Sequence, residues 1–81
     1  MRVARWIRGY DRVGDAVAVE YPLPKQWDLR ALQLLFGLPG DNLLVDSFPI
    51  GAREAAALSV GVEGPIDVSV YDFFLEAESE E

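Results

Sequence analysis

The 81-residue sequence contains neither cysteine nor histidine. Without cysteine, the chain has no disulfide and no thiolate metal ligand. Without histidine, it has no imidazole for a zinc site, for a Ser-His catalytic pair or for a pH switch near neutrality. The composition therefore suits a reducing compartment and excludes several classes of enzyme.

The sequence also lacks a long apolar run. No segment approaches the ~20 apolar residues that span a membrane. Arg2, Arg5 and Arg8 interrupt the first apolar residues, unlike the continuous apolar core of a signal peptide. We therefore expect a cytoplasmic protein with no membrane contact.

Basic residues are scarce and unevenly placed. Seven of them stand against fourteen acidic residues, for a net charge of −7. Residues 1–30 carry six basic and four acidic side chains, whereas residues 31–81 carry one basic and ten acidic side chains. Such a field repels nucleic acid and attracts basic partners, although it also serves solubility alone. We expect no nucleic-acid binding.

Two segments near the N-terminus predict a β-hairpin. Residues 3–10 carry large apolar groups on both faces, which favours an inner strand. Residues 16–23 alternate regularly and end at Pro22 and Pro24, which favours an edge strand. Residues 11–15 form the turn, in which Gly14 can adopt a positive φ.

Two short helices are predicted in the middle of the chain. Asp28 is a suitable N-cap for the first, and Gly37 and Pro39 end it. Residues 51–60 are rich in alanine and predict a second helix that Gly61 ends. The intervening residues 43–50 form either a connector, which we favour, or a short fourth strand.

Residues 66–78 predict the C-terminal strand. Ile66, Val68 and Val70 occupy every second position, which is the period of a half-buried strand. The phase changes at Tyr71 and Asp72, which indicates a bulge or a second half that is buried on both faces. Residues 79–81 are expected to be a disordered acidic tail.

Together these elements predict one α+β domain over residues 1–78, in the order ββααβ. The most economical arrangement is a three-stranded, or alternatively four-stranded, antiparallel sheet with two short helices packed on one face. The C-terminal strand lies beside the first strand, and the second strand lies at the edge.

No group of residues has the spacing of a catalytic or cofactor site. The four serines lack a histidine, and the carboxylates lack the spacing of a calcium loop. We therefore expect no enzyme, no cofactor and no metal, with a small metal- or ligand-binding enzyme as a minor alternative.

Nine aromatic residues are too many for a thin core to bury completely. Aromatics rimmed by carboxylates are typical of a protein-binding surface, and the same composition would suit a homodimer interface. A bulge near Tyr71 would turn Asp72 and Phe74 outward beside Glu76. The predicted partner-binding residues are Asp67, Tyr71, Asp72, Phe74 and Glu76, with a wider rim of Asp41, Asp46 and Glu63. Replacing Asp72 or Glu76 with lysine is expected to slow association with little loss of fold.

Four short sequences in this layout carry a resemblance to a known family. They are the R-W-I-R-G-Y-D strand, the L-F-G helix end, the S-F-P-I lead into the second helix and the V-Y-D-F-F-L-E strand. The layout resembles that of small acidic immunity proteins from bacterial contact-dependent and polymorphic toxin systems. The resemblance implies a cytoplasmic, stoichiometric inhibitor that occludes a cognate toxin, often a basic nuclease. The alternative is a small homodimeric structural or regulatory domain without a toxin partner.

Overall fold

A computed structural model describes residues 2–80 of the chain. Its elements follow the order β1 (Arg2–Tyr10), β2 (Val17–Pro22), α1 (Leu29–Phe36), β3 (Phe48–Pro49), α2 (Ala52–Leu58) and β4 (Asp72–Glu80). The strands form one antiparallel sheet in the order β2-β1-β4-β3. The predicted α+β class, the inner position of β1 and the edge position of β2 are confirmed.

One face of this sheet supports the hydrophobic core, and we call it the covered face. Ile7 lies opposite Leu75 on β4 and Tyr21 on β2, so the three side chains share this face. Both helices and their connections pack against it, which confirms the predicted placement of the helices. The buried core consists of Ile7, Leu32, Leu44, Ile50, Ala55, Leu58, Phe73 and Leu75.

Gly9 allows side chains of the two strands that flank β1, which are β2 and β4, to meet over the centre of the covered face. A Cβ atom at this position would lie 2.7 Å from the ring of Phe73 and 2.8 Å from a methyl of Val19. Only a hydrogen atom fits there. The β1–β2 register shifts directly after Gly9, where Tyr10 pairs with Val17, and such a bulge increases local twist.

The helix ends follow their local sequence signals. Asp28 accepts a hydrogen bond from the Ala31 N–H at 2.9 Å, and Gly37 adopts a left-handed φ of 66° at the C-cap. In α2 the Glu54 carboxylate accepts a bond from the Gly51 N–H at 3.0 Å. This helix ends at Leu58, two residues earlier than predicted.

The strand prediction for residues 66–71 is wrong, because these residues form a turn. The N–H groups of Val70 and Tyr71 both donate to the Asp67 carbonyl oxygen, and the Asp67 carboxylate accepts bonds from the Ser69 N–H and hydroxyl. These local bonds compete with strand pairing. Ile66 and Val68 pack on the core from the turn, which explains their alternation without a strand.

The predicted bulge at residues 71 and 72 is also absent. β4 begins at Asp72 and pairs with β1 residue by residue, from Tyr10↔Asp72 to Arg2↔Glu80. The strand therefore includes residues 79 and 80, which were expected to be disordered, because β1 extends far enough to pair with them. Residue 81 lies outside the described residues.

The ambiguous segment 43–50 divides into two parts. Residues 43–47 form a connector, as favoured, and Phe48–Pro49 forms a minimal fourth strand that pairs with Leu75 and Phe74. Pro49 has no N–H to donate to a ladder, which suits an edge position.

Candidate functional site

The second face of the sheet, which we call the open face, carries the candidate site. Both helices lie on the opposite side of the sheet. The side chains of this face therefore pack against side chains of neighbouring strands. Alternation along the strands places polar and aromatic groups there, and the register brings them together. They are Trp6, Arg8, Tyr10, Glu20, Asp72, Phe74, Glu76 and Glu78.

Arg8 lies at the centre of the open face and binds three carboxylates. Its Nε donates to Glu20 at 2.9 Å, its Nη1 to Glu76 at 3.3 Å, and its Nη2 to Glu78. The Arg8 side chain is only 15% exposed, and its guanidinium lies 5.5 Å from the centre of the Trp6 ring. Burial lowers the guanidinium pKa, but the three carboxylates outweigh this effect and raise the pKa above its usual range. The cluster therefore keeps a fixed cation among three anions.

Glu76 joins this cluster to the neighbouring aromatic groups. Its carboxylate accepts a hydrogen bond from the Tyr10 hydroxyl at 2.5 Å and another from the Ser47 hydroxyl at 3.1 Å. The bond to Glu76, with burial second, raises the pKa of Tyr10 above 10.0. The Glu76 carboxylate therefore binds Arg8, Tyr10 and Ser47 at once.

A cleft of about 280 Å³ lies beside Glu76. The Tyr10 and Phe74 rings meet edge to face, 5.8 Å apart, and give the cleft an apolar wall. Arg12 holds Asp72 at 3.1 Å and also donates to two carbonyl oxygens of the turn that precedes β4. The cleft is lined by Tyr10, Asp15, Ser47, Asp72, Phe74 and Glu76. This combination of aromatic wall and acidic rim suits a basic side chain.

Three of the predicted partner-binding residues meet at this cleft: Asp72, Phe74 and Glu76. They share a face because of regular alternation in β4, not because of a bulge. Tyr71 instead lies against Phe73, with ring centres 6.2 Å apart, and packs on the core.

The other predicted residues lie away from the cleft or only adjoin it. Asp67 belongs to the turn, where the bonds from the Ser69 hydroxyl and N–H lower the pKa of its carboxyl group. Asp41 and Glu63 are exposed in the α1–β3 and α2–β4 connections, and Asp46 is exposed next to Ser47.

Four residues of the open face were not predicted as site residues from the sequence: Arg8, Tyr10, Glu20 and Glu78. Alternation along residues 3–10 places Arg8 and Tyr10 on one face of a strand. Their acidic partners depend on the register of β1 with β2 and β4, which local sequence does not specify.

A family model matches residues 4–76, which include most of β1, both helices and the first half of β4. The chain belongs to the DUF7683 family, a domain of unknown function. No curated protein and no solved structure gave a significant match. Membership of DUF7683 therefore assigns no activity, and the open face is the basis for a functional proposal.

The described part of this DUF7683 chain contains no helix long and apolar enough to cross a membrane. Among the same residues, no three acidic side chains are grouped so that they could hold a metal ion.

Proposed function

We propose that this protein is an immunity protein that binds a basic toxin through the open face of its sheet and inhibits it stoichiometrically. The observation that carries the proposal is the cleft of Tyr10 and Phe74 with its acidic rim, on a face that neither helix covers. A toxin of the nuclease class fits this chemistry, because a nuclease active site carries basic residues that bind phosphates.

The charge of the open face supports a basic partner. Among the side chains that the structure describes, Arg8 on this face and Arg12 at its rim are the cations, and both are already bound to carboxylates. The acidic side chains outnumber them: Asp15, Glu20, Asp72, Glu76 and Glu78. A surplus of one sign accelerates encounter with an oppositely charged surface.

The rigidity of this face supports tight binding. Arg8 connects all three long strands through its carboxylate partners, and Tyr10 is fixed by both Glu76 and Phe74. Side chains that are already ordered lose little entropy when a partner binds. An ordered aromatic cleft can therefore act as an anchor that slows dissociation.

The structure changes which charge reversal is suitable for a test. Glu76 is bound to Arg8, Tyr10 and Ser47, so a lysine there would face the Arg8 guanidinium and damage the fold. Asp72 contacts Arg12 at the surface, and both side chains are about half exposed. Asp72→Lys is therefore the informative variant.

The test is growth of bacteria that express the toxin domain encoded by the adjacent gene, with or without this protein. We expect the native chain to restore growth and Asp72→Lys to restore it less. Glu63→Lys makes the same charge change at an exposed residue of the α2–β4 connection, which the sequence placed on the wider rim but which does not line the cleft. It is the matched control and should restore growth fully.

Absence of a toxin gene beside this one, or equal protection by the two lysine variants, would contradict the proposal. Light scattering separates this proposal from the homodimer alternative, because the proposal requires no dimer in the absence of the toxin. A dimer that persists at low micromolar concentration without a partner would favour the homodimer alternative.

A further inference from the structure

The outer edge of β4 is largely free. On its inner side β4 pairs with β1 along its whole length, but on its outer side β3 pairs only with Phe74 and Leu75. Residues 76–79 therefore pair only with β1, and their other edge has no neighbouring strand in the described portion of the chain. Unpaired edges of this kind are templates for an added strand.

The main chain of Ala77 and Ser79 points toward this free edge. The Phe73 carbonyl oxygen accepts a bond from the Ile50 N–H at 2.8 Å, on the side away from β1. In an antiparallel strand the main-chain groups alternate in direction, so those of Ala77 and Ser79 point the same way as Phe73. Within residues 2–80, no main-chain hydrogen bond outside the β1–β4 ladder reaches either residue.

The side chains along this edge differ between the two faces. Glu76 and Glu78 lie on the open face, whereas Ala77 and Ser79 lie on the other. Together with Val3 and Val45, residues 77–79 line a depression of about 180 Å³. Val45 is 54% exposed. The edge thus carries two carboxylates on one face, both bound to Arg8, of which Glu78 is half exposed. On the other face it carries a small depression with valine and alanine side chains in its lining.

We propose that this edge of β4 binds a basic, extended segment of the partner as an additional antiparallel strand. Lysine or arginine side chains of that segment lie beside Glu76 and Glu78, and its alternate apolar side chains lie over the depression at Val45. The main chains of Ala77 and Ser79 supply the hydrogen bonds. This inference rests on the proposed function for its basic partner and adds the mode of binding.

A second copy of the chain fits this edge poorly. Two copies could pair through their β4 edges in an antiparallel manner, with the open faces on the same side. Glu76 and Glu78 would then lie opposite a glutamate or Phe74 of the other copy. Like charges directly opposite one another destabilise a strand pair. Charge complementarity therefore favours a basic segment over self-association.

The inference is tested with a peptide of about seven alternating lysine and valine residues and the native protein. Its valines oppose Ala77 and Ser79, so their N–H groups point toward β4, while the lysine N–H groups point away. N-methylation of the valines should weaken binding roughly tenfold or more, because each methyl group removes a hydrogen bond. N-methylation of the lysines, with equal charge and composition, is the matched control and should weaken it less than about twofold.

Amide hydrogen exchange locates the peptide on the protein. In the free protein we expect rapid exchange at Ala77 and Ser79 and slow exchange at Glu76 and Glu78, whose N–H groups face β1. The unmethylated peptide should slow exchange at Ala77 and Ser79 in proportion to its occupancy. Absence of binding, equal weakening by the two methylations, or unchanged exchange at both residues would overturn the inference.

The same experiment separates this inference from the proposed function. A peptide that perturbs the amides of Asp72 and Phe74 but leaves Ala77 and Ser79 unchanged overturns strand addition and supports binding by the open face. Protection of Ala77 and Ser79 without any change at Tyr10, Asp72 or Phe74 supports strand addition and contradicts the role of the cleft.

Discussion

The two faces of the sheet are built from the same strands by opposite means. On the covered face Ile7, Phe73 and Leu75 are almost fully buried against the helices. On the open face Arg8, Tyr10 and Glu76 occupy the alternate positions of the same strands and are held by charged and polar bonds. The covered face stabilises the fold by excluding water, whereas the open face is ordered without a covering layer. A face that is ordered but uncovered is suited to meet a partner.

The largest expected effect is on the covered face. Ile7→Ala should lower the free energy of unfolding by about 2–5 kcal/mol, because it leaves a cavity at a fully buried position between three strands. Urea denaturation measures this loss. Val13→Ala, in the β1–β2 turn where Val13 is 86% exposed, should change stability by less than about 0.5 kcal/mol. Similar losses in the two variants would mean that the core is not where we place it.

Gly9→Ala should be the next most damaging substitution, at about 1–3 kcal/mol. The added methyl would overlap the Phe73 ring and a methyl of Val19, and Phe73 is buried too deeply to move. Gly40→Ala is the control, since its nearest neighbour is 3.9 Å away. Thermal unfolding of the two variants compares them, and a stable Gly9→Ala would contradict the close approach of β2 and β4 across β1.

On the open face Arg8→Lys should cost about 1 kcal/mol, because an ammonium group lacks the planar fork that reaches three carboxylates. The loss should shrink when the protein is unfolded at high salt. Arg12→Lys, at a half-exposed ion pair, should cost less. A larger loss of unfolding free energy for Arg12→Lys than for Arg8→Lys would contradict the central role of Arg8 in ordering the open face.

The smallest effect concerns Tyr10 and depends on pH. Glu76 favours the neutral phenol and raises the pKa of Tyr10 in the folded state above 10.0. The stabilisation from the Tyr10–Glu76 hydrogen bond is therefore complete below pH 10 and is lost as the pH rises through the folded-state pKa of Tyr10. The native chain should exceed Tyr10→Phe in unfolding free energy at pH 7, by a margin that shrinks at strongly alkaline pH. The difference in tyrosinate absorbance between the two proteins should titrate above pH 10. A difference in unfolding free energy that grows with pH would contradict the claim that Glu76 stabilises the neutral phenol of Tyr10.

Much of the covered face could be predicted from sequence, because its signals are local. Asp28 and Gly37 mark the ends of α1 through their own backbone and side-chain chemistry, and the alternation of β1 separates Ile7 from Arg8. The strand prediction for residues 66–70 failed because apolar residues at every second position also occur in this turn. There the Asp67 side chain accepts hydrogen bonds that take the place of strand pairing.

The open face could be predicted only in part. Asp72, Phe74 and Glu76 were predicted from the acidity of the C-terminal half and from a bulge that the structure does not contain. Glu20 and Glu78 are distant in sequence from Arg8 and from each other, and only the strand register brings them to it. Ser47 reaches Glu76 from a connector whose path follows no strand or helix period.

The central claim, that the open face binds the proposed toxin, is tested most directly by the rate at which that toxin domain associates with this protein. The comparison is between the native chain, Asp72→Lys and Glu63→Lys, at low and at high salt. We predict that Asp72→Lys slows association roughly tenfold at low salt and much less at high salt, because its charge steers the encounter. Glu63→Lys should change the rate less than about twofold. Equal rates for the two variants at low salt would contradict the claim that the open face binds the partner.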